Sequence, residues 1–304
     1  MPLPPPSDSL PADAAPPIAG DDPRLSRRRF LKRLAKRSAV VASGAFVYTW
    51  RFEPHWIEVV ERPLPIVNLP PHLAGRRLVQ VSDLHAGPIV DQRWLIESLQ
   101  QIELLRPDLL IVTGDFMTCE GTEEIPRAAE AIRALPAAPL GRLAILGNHD
   151  YGCRFRDHGV ADKLRRELER HDVQVLANDV TNVGGLQIGG VEDFYSRRFN
   201  PERMLGQLSS DEAVLALCHN PDGVDDAAWA DYHGWILAGH THGGQCKAPF
   251  FRPPIVPVRN KRYAAGEYDL APGRQLYINR GLGYLRRVRF NARPEITVFT
   301  LATA

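Results

Sequence analysis

Four cysteines in 304 residues, with no C-x-x-C spacing among them, give the chain no disulfide scaffold. Cys218 sits at the end of an apolar run and reads as core. Cys119 and Cys153 each follow a strand-like run by a few residues, in loops that could pair only in an oxidising compartment. Net charge is also nearly missing: 37 Lys and Arg against 36 Asp and Glu leave +1, which argues against a nucleic-acid binder working through bulk electrostatics. That balance hides a local excess. Arg24 to Arg37 holds eight basic residues and no acidic one, so +1 less +8 leaves −7 for the rest of the chain. No internal repeat and no linker to a second folded domain can be found. The apolar run Ser38 to Trp50 is too short for a membrane span, which needs about 20 residues.

The composition that remains is ordinary for a globular protein, at 44% hydrophobic and 24% charged. Residues 1–23 are rich in Pro, Ala and Asp and hold few large apolar side chains. They cannot bury enough surface to offset their ordering entropy and read as a disordered tail. Residues 24–50 follow the order of a targeting peptide, a basic stretch and then a mild apolar one. Within them Ser26-Arg27-Arg28-Arg29-Phe30-Leu31-Lys32 resembles the twin-arginine export signal, which implies the twin-arginine machinery as a partner. A basic amphipathic helix is the plainer reading. No convincing Ala-x-Ala cleavage site comes after it, Ser43-Gly44-Ala45 being a weak candidate, so residues 38–50 could stay as an anchor at a membrane surface. The expected location is the periplasm or the outer face of the cytoplasmic membrane.

Residues 56–304 have the pattern of a folded domain. Ile57 to Arg62 alternates partially, and Pro63, Pro65, Pro70 and Pro71 restrict the next stretch to edge or loop conformations. Buried strands ending near Asp83, Asp115 and Gly147 alternate with helices over Gln92–Leu105, Ile125–Leu135 and Val160–His171. That order implies parallel pairing with right-handed crossovers. After about Val173 the connections shorten. Strands at 173–176, 185–191, 213–218, 275–279 and 295–301 are most economically a second, mixed sheet. The class is α/β.

The chemistry gathers where strands stop. Five apolar runs end on residues able to bind metal or move protons: Asp83 with His85, Asp115, Asn148 with His149 and Asp150, His219, and His240 with His242. A lone histidine in such a place would more often be a hydrogen-bonded structural residue, but five repeats of the event are not coincidence. Carboxylates mixed with neutral imidazoles suit manganese, iron or zinc better than calcium, which prefers all-oxygen shells. Seven donors (Asp83, His85, Asp115, Asn148, His219, His240 and His242) suffice for two divalent ions with positions left for water and substrate.

Asp83-x-His85, Gly114-Asp115, Gly147-Asn148-His149-Asp150, His219 and Gly239-His240-Thr241-His242, in that order, resemble the signature of the calcineurin-like metallophosphoesterases. His219-Asn220-Pro221-Asp222, Gly243-Gly244-Gln245 and Pro294-Glu295-Ile296-Thr297 are similar to a bacterial branch of exported or membrane-associated phosphoesterases, some with twin-arginine signals. The resemblance implies two mixed β-sheets packed as a sandwich with helices outside. It further implies Asp83, His85 and His242 on one ion, Asn148, His219 and His240 on the other, and Asp115 bridging them. Direct hydrolysis of a phosphomonoester or phosphodiester by a hydroxide held between the ions is the implied reaction, with His149 protonating the leaving group and Asp150 orienting its imidazole. A turn or cap role is the simpler account of Asp150. Arg286 or Arg287, in a late loop where relatives carry small residues, could supply a cation to a phosphate. The competing readings are a membrane lipid pyrophosphate hydrolase of the UDP-2,3-diacylglucosamine diphosphatase kind and a scaffold that has kept the fold and lost its metals.

Overall fold

The architecture was described from a computed structural model covering Met1 and residues 23–118, 121–209 and 211–304. Residues 2–22 of the N-terminal tail, and Cys119 of the suggested cysteine pair, lie outside these described residues. The chain divides into two units, Met1–Phe46 and Val47–Ala304.

Helix α1 (Pro23–Val47) carries the basic run of the first unit, and residues 27–47 of it are exposed throughout. Among the described residues no helix is long and apolar enough to cross a membrane. The second unit starts before Trp56, where the sequence pattern placed the domain boundary. Thr49 accepts a backbone hydrogen bond from Arg289 (3.0 Å), and the Glu53 carboxylate takes one from the Ala292 amide (2.8 Å). Part of the suggested 38–50 anchor therefore belongs to the folded unit.

Strands and helices alternate as periodicity predicted. They run β1 (Glu58–Ile66), β2 (Arg77–Val81), α2 (Gln92–Gln100), β3 (Leu109–Thr113), α3 (Ile125–Arg133), β4 (Arg142–Ile145), α4 (His158–Glu169) and β5 (Gln174–Val175). Then come β6 (Asp179–Val183), β7 (Leu186–Gly190), α5 (Pro201–Leu205), β8 (Ala213–Leu217), β9 (Gly234–Ala238), β10 (Gly266–Ala271), β11 (Arg274–Ile278) and β12 (Glu295–Thr303). Asp91 caps α2 by accepting from the Trp94 amide, and Asp157 caps α4 by accepting from Val160. Strands β6 and β10 escaped the sequence reading. Their residues Asp-Val-Thr-Asn-Val and Gly-Glu-Tyr-Asp-Leu-Ala are largely polar, and each is fixed by antiparallel pairing with its neighbour rather than by burial.

Two six-stranded mixed sheets result, ordered β1-β12-β2-β3-β4-β5 and β10-β11-β9-β8-β7-β6. In the first, β2 to β5 run parallel while β12 is antiparallel to β2; in the second, β7, β8, β9 and β11 run parallel. β1 keeps Pro63 and Pro65 because it is an edge strand bonded only to β12, so the missing N–H groups break no ladder. Side-chain alternation sorts the layers. Leu109 and Ile111 face a core shared with Leu215, Leu217 and Leu237 of the other sheet, whereas Leu110 and Val112 face α2, α3 and α4. Outside the second sheet, Ala216 and Ile236 pack with Trp229 and Met204. The order of layers is helix, sheet, sheet, helix. Gln80 lies on the inner face and donates to Thr113 Oγ1 and to the Ala238 carbonyl, both at 3.0 Å, which ties the sheets together just beneath the strand ends.

Leu215 has no solvent exposure, and Leu215→Ala should lower unfolding free energy by about 2–5 kcal/mol through lost transfer energy and a residual cavity. Urea unfolding with an unchanged m-value checks this; a loss below about 1 kcal/mol would mean the inter-sheet core is loosely packed at this point.

Candidate metal centre

Parallel strands deliver their carboxyl ends to one rim, and here both sheets contribute. β2 releases Asp83 and His85, β3 releases Asp115, β4 releases Asn148, β8 releases His219, and β9 releases His240 and His242. All seven side chains are buried. Five of them, Asp83, His85, Asp115, His240 and His242, hold positive φ between 47° and 71°. Such backbone costs about 1–3 kcal/mol per non-glycine residue and persists only where surrounding structure enforces it.

The donors fall into two groups, Asp83 with His85 and His242, and Asp115 with His219 and His240, each with its ligand atoms within 4.8 Å of one another. Asp115 sits between them. Its Oδ1 accepts from the His149 amide at 2.9 Å, while Oδ2 lies 3.2 Å from His219 Nε2 and 3.7 Å from His85 Nε2. Asp83 takes the His240 amide on both oxygens, at 3.1 and 3.0 Å.

Backbone carbonyls set the tautomers. His85 Nδ1 donates to Met117 (3.0 Å), His219 Nδ1 to Thr113 (2.6 Å) and His240 Nε2 to Pro257 (3.0 Å), which leaves the opposite nitrogen of each ring with a lone pair. Those lone pairs have little to meet within the protein. His219 Nε2 and Asn148 Oδ1 are buried without a hydrogen-bond partner; the 3.2 Å approach of His219 to Asp115 lacks hydrogen-bond alignment. The rings of His85 and His242 stack at 5.0 Å with Nε2 facing Nε2 at 3.0 Å. Arg289 lies 3.4 Å from His242 Nδ1, so His242 Nε2 is free to donate to His85 Nε2, whereas the buried lone pairs of His219 Nε2 and Asn148 Oδ1 meet no donor, which is costly unless a cation accepts them. The donor set therefore fits divalent metal.

Electrostatics agree. Burial and the neighbouring Asp115 charge push Asp83 up to about 6, with His219 acting against them. Burial works to lower His219, but the Asp115 carboxylate raises it to about 10. The protein draws positive charge into the cluster, and a cation would compete with that proton.

Residues 76–244 match the family described as calcineurin-like phosphoesterase, a span that contains every one of these donors. The chain belongs to that family. It is similar to the uncharacterized metallophosphoesterase YkuE of Bacillus subtilis (strain 168), 33% identical over 291 residues that cover 91% of this chain and 98% of that protein. The UDP-2,3-diacylglucosamine pyrophosphatase LpxG of Chlamydia trachomatis is 29% identical, over 86% of this chain and 95% of LpxG. The phosphodiesterase YaeI of Escherichia coli K12 is 28% identical, over 91% of this chain and 99% of YaeI. This calcineurin-like phosphoesterase is accordingly a phosphoester hydrolase of a metal-dependent family.

Two expectations need correction, and two buried residues are added to the site. Asp150 does not orient His149: its oxygens accept from the amides of Met117 (3.1 Å) and Gly147 (2.9 Å), and the His149 ring instead donates from Nδ1 to the Thr118 carbonyl at 2.6 Å. Asp150 thus ties together the two loops that present Asp115 and Asn148. Arg287 lies over the Trp50 ring, 5.5 Å from its centroid, and Arg286 is joined through its carbonyl to Gln245. The cation near the centre is Arg289, fully buried, donating to the carbonyls of Arg280, Gly281, Gly283 and Ala292 and lying 3.4 Å from His242 Nδ1. Asp193 is also buried, with Oδ2 unpartnered. Burial raises it to about 6, against the pull of His219. It comes just after β7, so the rule of a strand ending on a carboxylate would have found it; Arg289 has no such signal. At the mouth, His149, Phe155, Tyr195 and His240 form an arc of rings spaced 5.1, 6.2 and 6.2 Å.

Two glycines permit the donors to converge. A Cβ on Gly114, at φ +96°, would stand 2.6 Å from the Gly147 amide nitrogen and 2.7 Å from His219 Nδ1; one on Gly239 would reach 2.5 Å from Asp83 Oδ2. Gly239→Ala removes no donor yet should weaken metal affinity about 10- to 100-fold, in the range of lost supporting contacts. Chelator titration with elemental analysis measures this, and unchanged retention would show that Asp83 does not hold metal.

Proposed function

We propose that this phosphoesterase hydrolyses phosphodiesters at two divalent cations, one held by Asp83, His85 and His242, the other by Asn148, His219 and His240, with Asp115 shared. The observation carrying this reading is the pair of buried donor groups, Asp83 with His85 and His242 and Asp115 with His219 and His240, together with the unpartnered His219 Nε2 and Asn148 Oδ1. Divalent cations there would supply Lewis acidity to the phosphoryl group and lower the pKa of water. Mn, Fe or Zn suit the mixed oxygen and nitrogen set.

The remaining work falls to the chain. His149 is half-buried at the mouth with Nδ1 engaged by Thr118, so Nε2 is the atom left to hold a proton for the departing oxygen. Thr118 is itself pinned, its hydroxyl donating to the His85 carbonyl (3.1 Å) and its amide to Glu124 (3.0 Å). Phe155 and Tyr195 give the leaving group an apolar wall and keep bulk water from one side of the site.

A second reading, hydrolysis of a lipid pyrophosphate such as UDP-2,3-diacylglucosamine, draws support from the similarity to LpxG. It needs the same cleavage of a P–O bond and differs in what the surrounding loops hold. Export through the twin-arginine pathway belongs to the main reading, supported by the run Ser26 to Lys32.

Asp115→Ala or Asn148→Ala should reduce turnover of bis-nitrophenyl phosphate by at least about 10²-fold with loss of bound metal. Ordinary turnover in either variant would refute the site. His149→Gln should keep its metal and slow esters of poor leaving groups by about 10²-fold or more, while nitrophenyl esters, which need no proton, change far less. Equal slowing would remove His149 as the acid. Comparing bis-nitrophenyl phosphate, nitrophenyl phosphate and UDP-2,3-diacylglucosamine as substrates separates the two readings. For export, Arg27→Lys with Arg28→Lys should hold the chain in the cytoplasm on fractionation; an unaltered distribution would count against the signal.

A further inference from the structure

Beyond the β9 histidine loop the chain runs Lys247-Ala-Pro-Phe-Phe-Arg-Pro-Pro-Ile-Val-Pro-Val-Arg-Asn-Lys-Arg262, five cations with no carboxylate. Outside the N-terminal basic run the chain sums to −7, and this segment is one of two carboxylate-free basic runs of the folded unit, Arg280 to Arg293 being the other. The same segment holds large apolar side chains that nothing in the fold covers. Phe250 is 103% exposed, Phe251 71% and Ile255 76%. Bulky apolar groups rimmed by cations mark a surface that meets something both apolar and anionic.

The segment is anchored to the fold on both sides of its exposed residues. Its ends are tied down by Lys247 N–H to the Phe290 carbonyl (2.8 Å), by His240 to the Pro257 carbonyl, by Thr241 to the Ala264 carbonyl, and by the amides of Arg259 and Asn260 to Asp222 at 2.6 and 3.0 Å. Val256 and Val258 are buried against the outer core of the second sheet. Between these anchors Pro249, Pro253 and Pro254 carry no N–H, and the Phe251 amide is satisfied by the Ala248 carbonyl (3.1 Å). Three prolines and the Phe251 turn reduce the number of free donors that the tip would carry into a low-dielectric layer.

Beside the tip lies a cavity of about 740 Å³ lined by Lys247, Arg252, Lys261, Arg262, Arg62 and Tyr268, among others. Arg62 is paired with Glu267 at 2.6 Å. Lys247, Arg252 and Arg262 meet no carboxylate among the described residues, and Arg262 rests over the Tyr263 ring at 5.6 Å. The lining thus sets unpaired cations beside Phe250 and Phe251, which line the same cavity, a pairing of charge and apolar surface that matches phosphate headgroups next to an acyl layer.

We propose that residues 247–262 dock this enzyme on an anionic phospholipid bilayer, with Phe250, Phe251 and Ile255 entering the acyl boundary and Lys247, Arg252 and Arg262 holding headgroup phosphates. The segment leads directly from the loop that carries His240 and His242, so docking sets the candidate metal centre beside the lipid surface.

The test is sedimentation of the full chain with phosphatidylcholine vesicles with and without phosphatidylglycerol, for wild type, for Phe250→Ser/Phe251→Ser/Ile255→Ser and for Lys247→Gln/Arg252→Gln/Arg262→Gln. Helix α1 is basic and supplies a background common to all three. Each variant should lose at least about tenfold in partitioning to the anionic vesicles, with thermal midpoint and turnover of soluble bis-nitrophenyl phosphate unchanged. The charge variant should also lose salt sensitivity. In a separate Phe251→Trp variant, difference emission against wild type should shift to the blue on anionic vesicles alone. Wild-type partitioning in both triple variants, an unmoved difference emission in Phe251→Trp while the chain sediments, or no sedimentation of wild type would each overturn the proposal. Equal loss of turnover in both triple variants would do the same, by making the segment part of the catalytic site.

Discussion

Two buried carboxylates and four buried imidazoles cannot share one small volume in water-free surroundings unless positive charge joins them. That constraint organises the rim of this molecule. Burial and the Asp115 charge raise Asp83, while Asp115 stays ionised against burial because His219, His149 and His85 surround it. A cluster that is unfavourable by itself becomes favourable around cations. The fold carries that unfavourable state between binding events.

Holding such a cluster requires a stiff frame, and the frame is the pair of sheets. Strands β2, β3 and β4 from one sheet and β8 and β9 from the other stop at a common rim, and Gln80 bridges the sheets one residue layer below it. Backbone groups then do what side chains usually do around metal sites. Carbonyls of Met117, Thr113, Pro257 and Thr118 fix the rings of His85, His219, His240 and His149. Thr113, Met117 and Thr118 lie at or just past the end of β3 and Pro257 in the loop after β9, so ring orientation is inherited from backbone rather than from side-chain carboxylates. Asp150 serves this frame by joining the Asp115 and Asn148 loops through two amides.

Selectivity lies farther out, in segments that the frame merely supports. In the proposed function the arc of Phe155 and Tyr195 limits what can stand beside His149, and in the proposed docking the proline-braced tip at Phe250 and Phe251 limits where the enzyme meets its surroundings. Both arise from loops beyond strand ends, which is where one scaffold acquires different substrates without altering its core.

Local pattern went far in this chain. Each donor was legible because an apolar run of strand length must end somewhere, and a polar residue at that end faces either solvent or a site; five such ends in one sequence made a site the economical account. The presence of two sheets came from the change between helical crossovers and short connections, but 173–176 and 295–301, read into the second sheet, pair as β5 and β12 with β4 and β2 of the first. Local pattern could not express pairing across long separations. β6 and β10 are too polar to read as strands until a partner supplies their hydrogen bonds, and β1 tolerates two prolines only because its far side is an edge. Asp150 looked like a partner for the adjacent His149, yet the turn aims it at Met117 and Gly147, while Thr118 takes the imidazole. Arg289 gave no sign in sequence, since a buried arginine is stabilised by carbonyls that only loop closure brings together. Sequence by itself determined which polar residues stand where the apolar runs stop, because strand termination is a local property. Tertiary structure alone decided which of them touch, because hydrogen-bond partners tens to hundreds of residues apart are chosen by how the two sheets pack.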